Sequence, residues 1–400
     1  MSTGSSNGAG RARDAIDDRG VAPWRRYAYN STVMGDSVMS GSQWTRRDVA
    51  RGLGFGVASA AAATWPGGAR AAEAKSITVL NWQGYGTDLA AGVQHFKSAT
   101  GIEVKHDYYN SEPEMLTKLR TNPGAYDVVL VNSARDAQAK ADELIDPVDL
   151  GKLPNAAGLA PAFKTNPNIV IDGQTYGVPW VWGMNAIAVR TGKGFKVDSY
   201  AVFEEAAFAG RGALFDDAVT EIAVAALMLG QNINDPKDMK AIAARLKSFK
   251  RDVKLVWSSE DEWNKAFAAG AFDVSVFWSG AVTRAVNLHQ QPVTFVVPKE
   301  GAVGWLDNFC IPATSTGKAA GLQFIDYMVS PQFYAEWAKS GAPASANAAA
   351  MAALPESDLN RQIHKPEYLD KLQFMGALPE DRRQAFNDLW EEVKAFYAQS

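Results

Sequence analysis

From residue 77 onward the chain alternates short apolar runs with amphipathic stretches. Ile77-Thr78-Val79-Leu80-Asn81-Trp82 is β-branched and bounded by polar turn residues, which predicts a first strand. Leu89–Ala99 places Leu89, Val93 and Phe96 on one helical face, and Gly101 closes it. Residues 102–108 alternate as a second strand. Glu112–Arg120 reads as a helix, with Ser111 as N-cap and Pro113 in the first turn, where a missing N–H costs little. Tyr126–Val131 is almost wholly apolar and suits a parallel strand buried on both faces. This β-α-β-α-β order predicts a doubly wound α/β lobe. The aromatic run Tyr176–Val189 reads as a passage between lobes. A second α/β pattern follows: Ala213–Phe215, a helix from Thr220 to Leu229 closed by Gly230, a helix from Asp238 to Phe249, and strands at Val274–Trp278 and Val293–Val297. Phe309–Pro312 reads as a return strand, and Ala319–Met328, Pro331–Lys339 and Glu380–Ala398 as helices. The expected fold class is therefore α/β, two doubly wound lobes joined by crossing hinge segments. The expected lobes are 75–182 with about 308–350, and 183–307 with about 351–400.

The first 71 residues read differently. Residues 1–43 are rich in Gly, Ser, Arg and Asp without apolar periodicity, which predicts a disordered extension. Thr45-Arg46-Arg47-Asp48 then precedes an Ala/Gly-rich apolar run and the small-x-small sequence Ala69-Arg70-Ala71-Ala72. Paired arginines, a modest apolar run and a cleavage pattern predict a twin-arginine export signal over 44–71, with Met1, Met34 and Met39 all open as the start. No apolar run of about 18 residues follows to span a bilayer. Export to the periplasm is the expectation.

Composition narrows the function classes. Nine of the 40 Lys and Arg and five of the 44 Asp and Glu fall in residues 1–71, leaving 31 basic and 39 acidic residues, a net charge of −8, in the body. An acidic body argues against nucleic acid as a partner. A single cysteine, Cys310, allows no internal disulfide and is expected as a small buried residue. His95, His106, His289 and His364 show no metal-ligand spacing, so neither a metal nor a cofactor is expected.

The chemistry lies in where the 12 tryptophans fall. Trp82 and Trp278 end strands, Trp182 lies at the proposed crossing, and Trp305 precedes the return strand. Ligands of open α/β sheets bind outside the carboxyl ends of strands, so these rings can converge on one cleft. Aromatic faces attract an ammonium by roughly 0.5–2 kcal/mol each. Carboxylates take charge-assisted hydrogen bonds from its N–H groups. The candidate acids are Asp217, in a strand-to-helix turn where it also suits an N-cap, and Asp307, two residues after Trp305. Gln83 is a candidate hydrogen-bonding group. Trp257, Trp263, Trp337 and Trp390 are assigned to packing.

Asn81-Trp82-x-x-Tyr85, Gly101-Ile102-x-Val104, Gly124-Ala125-Tyr126-Asp127, Tyr176-x-x-Pro179-x-x-Trp182-Gly183, Asp216-Asp217-Ala218, Phe277-Trp278-x-Gly280 and Trp305-x-Asp307 occur in that order. From about Ile77 to Asp326 this set resembles the spermidine/putrescine-binding proteins of bacterial polyamine ABC importers. The resemblance implies a type II periplasmic-binding-protein fold and a monomeric receptor that delivers its ligand to a membrane permease. It implies that Trp82 and Tyr85 line the cleft from the first lobe, and that Trp278 is a wall. Trp305 would lie along the alkyl chain, Asp307 would hold an inner amine and Asp217 an ammonium end. Two positions depart from the pattern: Gly84 stands where an acid is usual, and Thr220 where spermidine-preferring members carry Glu. Ala134 lies near a position often aromatic. Fewer carboxylates imply a smaller or less charged ligand than spermidine, such as putrescine, an amino acid derivative or an aminophosphonate. The competing class, an exported carboxylate-based hydrolase, would draw on Asp216 with Glu221, or on Glu260, Asp261 and Glu262, but these read as helix starts and solvated faces.

Overall fold

The computed structural model describes residues 75–399; the expected extension (1–43) and twin-arginine leader (44–71) lie outside them. The longer strands are Ser76–Asn81 (β1), Glu103–Tyr108 (β2), Val128–Asn132 (β3), Val178–Arg190 (β4), Gly212–Phe215 (β5), Val253–Trp257 (β6), Val274–Trp278 (β7), Val293–Val296 (β8) and Ala302–Pro312 (β9). The longer helices are Ala90–Thr100 (α1), Glu112–Thr121 (α2), Ala218–Met228 (α3), Met239–Ser248 (α4), Glu260–Ala268 (α5), Ser279–Asn287 (α6), Lys318–Met328 (α7), Pro331–Ala338 (α8) and Glu380–Ala398 (α9).

The strands pair in the order β2-β1-β3-β9-β4-β7-β5-β6. β2, β1 and β3 are mutually parallel, as are β7, β5 and β6. These are the sheets of two α/β lobes, each built from strand–helix–strand units as the sequence order predicts. Between them run β9 and β4, antiparallel to each other and to their outer neighbours. β4 pairs with β9 as far as Asn185, then with β8 from Ile187 to Arg190. The aromatic passage predicted near Tyr176–Val189 is thus a continuous strand, buried over 12 of its 13 residues.

Local chemistry explains the helix ends. Ser111 Oγ accepts from Glu114 N–H at 3.3 Å, Asp217 Oδ1 from Thr220 N–H at 2.7 Å, and Asp238 Oδ1 from Ala241 N–H at 2.9 Å. Gly101 ends α1 with φ 74°, a conformation that costs glycine nothing.

Three differences from the sequence reading matter. The return strand begins at Ala302 rather than Phe309, so Trp305 and Asp307 lie inside β9. Gly304, Asp307 and Asn308 are poor strand formers, but hydrogen-bonded neighbours on both edges override that preference. Trp182 faces away from the cleft: its Nε1–H donates to Ser345 O and its ring meets His364 edge-on. Cys310 is buried as expected but has polar company, with Sγ 3.8 Å from Asp136 Oδ1 and 3.3 Å from Asn308 Nδ2.

The tryptophans assigned to packing are all buried. Trp337 stacks on Trp180 at 4.6 Å, and Trp263 stacks on Phe277 at 3.9 Å and on Phe267 at 4.6 Å. The Trp263 indole N–H is buried without an acceptor among the described residues. Trp263→Ala should cost about 3–5 kcal/mol in urea denaturation. Trp263→Phe should cost far less, because it removes an unsatisfied donor along with part of the ring. Equal losses for the two would show that the N–H has a partner.

Candidate functional site

β1 ends in a turn that its own last residue organises. Asn81 Oδ1 accepts from Trp82 N–H at 2.7 Å, while its Nδ2 donates to Tyr85 O at 3.0 Å and to Thr87 Oγ1 at 2.8 Å. Gly84 and Gly86 take φ of 73° and 78°, and a Cβ at Gly86 would lie 2.7 Å from the Trp337 ring. The turn is therefore folded tightly onto the core, and it presents Trp82, Gln83 and Tyr85 to a cavity of about 820 Å³. That volume is in the range of small-molecule sites.

β9 supplies the facing wall. Residues two apart on a strand share a face, so Trp305 and Asp307 both front the cavity. Trp305 is paired with Gly183, and a Cβ there would lie 2.2 Å from Trp305 Cζ2. The glycine is what lets the indole lie against the strand. A β-bulge follows Asp307 and ends the alternation.

Asp307 is the electrostatic centre. Its Oδ2 accepts from Tyr85 O–H at 2.8 Å and its Oδ1 from Asn132 Nδ2 at 2.9 Å. Asn132 can offer only its nitrogen, because its Oδ1 already accepts from Ala134 N–H at 3.1 Å. No Lys, Arg or His pairs with Asp307 among the described residues. Burial pushes its carboxyl up to about 6, against the downward pull of the Tyr85 and Asn132 hydrogen bonds. Burial first, and then the Asp307 charge, hold the Tyr85 phenol well above its ordinary range.

The second lobe contributes Trp278, Asp217 and Thr220. Trp278 ends β7 and meets Phe215 at 5.0 Å and Trp257 at 5.2 Å, both edge-on. Asp217 caps α3 and borders the cavity, so both roles foreseen for it coincide. Thr220 Oγ1 is occupied by Asn185 Nδ2 at 3.1 Å. The eight ligand-contact candidates thus line one cavity, whereas Trp182, grouped with the converging rings, does not.

Among the further polar residues that line it, which the sequence reading did not select as site residues, are Glu112, Asn132, Arg135, Arg284 and Arg383. Arg284 is answered by Glu260, with Nε–Oε1 at 2.8 Å and Nη2–Oε2 at 2.6 Å. Glu112 is in the first turn of α2, where the helix dipole favours a carboxylate. Burial and the neighbouring Asp307 win instead and push it to about 8. The acids considered for a hydrolase do not gather at the cavity. Asp216 Oδ1 accepts from Trp390 and Lys394, Glu221 Oε1 accepts from Phe215 N–H, and Glu260 holds Arg284. Asp261 and Glu262 sit with Glu260 in the first turn of α5, outside the lining.

Residues 91–361 match the family model of the bacterial extracellular solute-binding proteins. The chain is similar to the spermidine/putrescine-binding periplasmic protein of Escherichia coli, 28% identical over 299 residues, or 72% of this chain and 80% of that one. It is also similar to the spermidine/putrescine-binding periplasmic protein 1 of Haemophilus influenzae, 30% identical over 267 residues, 65% of this chain and 72% of the relative. Its fold matches the crystal structure of the substrate-binding protein PotD of a spermidine/putrescine ABC transporter from Streptococcus pneumoniae, with a TM-score of 0.72 at 21% identity. That match covers 81% of this chain and 100% of PotD.

Two outcomes test this geometry. Gly183→Ala should displace Trp305 and shift its fluorescence while the chain still folds; an unchanged spectrum would mean the indole is not seated on residue 183. The raised Asp307 carboxyl stabilises the folded state only while protonated. That contribution is full below the ordinary value of 3.8 and is lost as pH rises through about 6. The melting temperature of ligand-free Asp307→Asn should therefore gain on wild type between pH 4 and pH 7. A constant difference across that window would show that Asp307 does not titrate there.

Proposed function

The chain belongs to the bacterial extracellular solute-binding proteins, and on that premise we propose that it is the receptor of an ABC importer for a small aliphatic amine of the polyamine type. One observation carries this: Asp307 is a half-buried carboxylate held by two neutral donors, with no cation paired to it among the described residues, in an aromatic-walled cavity. A buried charge without a counter-charge is costly. An ammonium supplies the missing charge, and Trp82, Trp278 and Trp305 supply cation–π faces and cover methylenes. The names of the relatives support a putrescine- or spermidine-like ligand.

Binding is reversible and involves no covalent chemistry. The lobes, assigned as 75–182 with about 308–350 and 183–307 with about 351–400, close over the ligand by flexing β4 and β9. Contacts from both lobes favour the closed form, which then docks on the membrane permease. The receptor works in the periplasm as a monomer, exported through the twin-arginine leader over 44–71.

A second reading keeps this role and changes the other end of the ligand. Gly84 and Thr220 bring no acids, and Arg135 and Arg383 line the cavity. Both features favour an amine whose far end is not a second ammonium.

Isothermal calorimetry with putrescine, cadaverine, spermidine, γ-aminobutyrate and 2-aminoethylphosphonate tests the amine site. Asp307→Ala should weaken the bound amine by roughly 2–5 kcal/mol. Trp305→Ala should weaken it about tenfold through the lost aromatic face. Amine binding should also fall as pH drops through about 6, where Asp307 takes up a proton. Normal binding by both variants would sink the site assignment.

A further inference from the structure

The charges lining the cavity do not suit a dication. Its acids are Glu112, Asp217 and Asp307; its bases are Arg135, Arg284 and Arg383. Three against three leaves no net negative charge to attract two ammonium groups. The arginines also differ in what they already hold. Arg284 already makes three hydrogen bonds, two to the Glu260 carboxylate and one to Gly341 O at 3.1 Å. Arg135 makes no hydrogen bond among the described residues, and its nearest acid, Glu112, lies 3.6 Å away, beyond hydrogen-bond reach. Arg383 donates one Nη2 bond to Leu378 O at 3.1 Å, and lies 3.7 Å from Glu380, which is largely solvated.

Arg135 and Arg383 come from different parts of the fold. Arg135 ends the short turn after β3, and Arg383 is in the first turn of α9. They lie close enough for Arg383 to lower the proton affinity of Arg135, second only to the effect of burial. Two guanidiniums thus border the same cavity against mutual repulsion. The acid nearest Arg135, Glu112, is pushed toward its neutral form at neutral pH. A neutral carboxyl does not answer a guanidinium, and Glu112 Oε2 itself has no hydrogen-bond partner among the described residues. What satisfies Arg135 and Arg383 together is a planar or tetrahedral oxyanion, which guanidinium forks bind through paired N–H groups.

Resting on the amine-receptor reading, we propose that Arg135 and Arg383 form an anion subsite, so that the ligand is a zwitterion: an ammonium at Asp307 joined by a short alkyl chain to a carboxylate or phosphonate at the arginines. This is the second reading with its far end assigned. It accounts for the loss of acids at 84 and 220, since a ligand with one ammonium needs only one buried anion.

The test is a matched-pair titration on the full chain, freed of bound ligand. It compares 1,4-diaminobutane with 4-aminobutanoate, and 1,3-diaminopropane with 3-aminopropylphosphonate. Each pair keeps one ammonium and changes only the far end. Wild type should bind the zwitterion of at least one pair tenfold or more tightly than its diamine. Arg135→Gln should move that ratio toward the diamine by at least tenfold, and Arg383→Gln should move it in the same direction. Asp307→Asn should weaken both members. Thermal melts establish that each variant is folded, and if Arg135→Gln is not, wild type and Arg383→Gln decide. Equal or tighter diamine binding by wild type, with Asp307→Asn still harmful, overturns the anion subsite and leaves the amine receptor standing. Zwitterion binding that neither arginine variant weakens also overturns it. Absence of binding by every amine overturns both.

Discussion

The pairing of β4 with β9 is the constraint on which the rest depends. These two strands lie at the middle of the sheet, between the parallel strands of one lobe and those of the other. Their register sets Trp305 against Gly183 and Asp307 against Val181. The same two residues of β9 front the cavity, while Leu306, one step out of phase, is fully buried in the core. A slip of one residue would exchange these faces, burying Asp307 in apolar packing and expelling Trp305 from the site. The strands that connect the lobes therefore also supply a wall of the cavity. Any change in the lobe-to-lobe angle that bends them is felt at Asp307 directly, with no intermediary needed.

Asp307 shows the cost of such a site. A lysine beside it would stabilise the ligand-free chain, but the carboxylate would then hold an internal cation instead of an external one. Two neutral donors hold the group in place without neutralising it, and burial raises its proton affinity. The native state carries that unfavourable charge, the relation to stability expected of a binding site. The surrounding packing carries the burden: Tyr85, which donates to Asp307, is itself wedged edge-on against Trp180 and Trp337, at 5.8 and 5.7 Å.

What the sequence showed and what it hid divide along physical lines. Strands such as β1 and β3 and helices such as α1 and α2 were legible because period, caps and closing glycines agreed locally. β9 was read as only its last four residues, because its first half owes its conformation to partners distant in sequence. At the site, Trp82, Trp278 and Asp217 were legible from their places at strand ends and turns. Trp305 and Asp307 were legible from their mutual spacing and a family pattern. Glu112 and Arg135 sit in a helix start and a short turn, and Arg383 lies far off in the last helix. Nothing in their neighbours sets them apart from surface charges. Trp182 was grouped with the converging rings, although strand alternation alone puts it on the face opposite Gly183.

The cavity keeps an acid and a guanidinium apart that would satisfy each other if they met. No ion pair joins Asp307 to Arg135 among the described residues, although both border the same space and both feel Glu112. The backbone explains why they stay apart. Asp307 is fixed on a central strand by donors on two sides, and Arg135 leaves the chain from a turn that Asn132 caps. Asn132 thus holds both ends of the arrangement, one through its amide nitrogen and the other through its amide oxygen. Unlike charges held at a fixed separation are an arrangement a flexible surface would relax by collapse. Held on separate elements, they fit the proposed ligand that brings a complementary pair of charges. A ligand that matches both ends then binds without the protein first having to break an internal salt bridge, so little of its contact energy is lost to reorganisation.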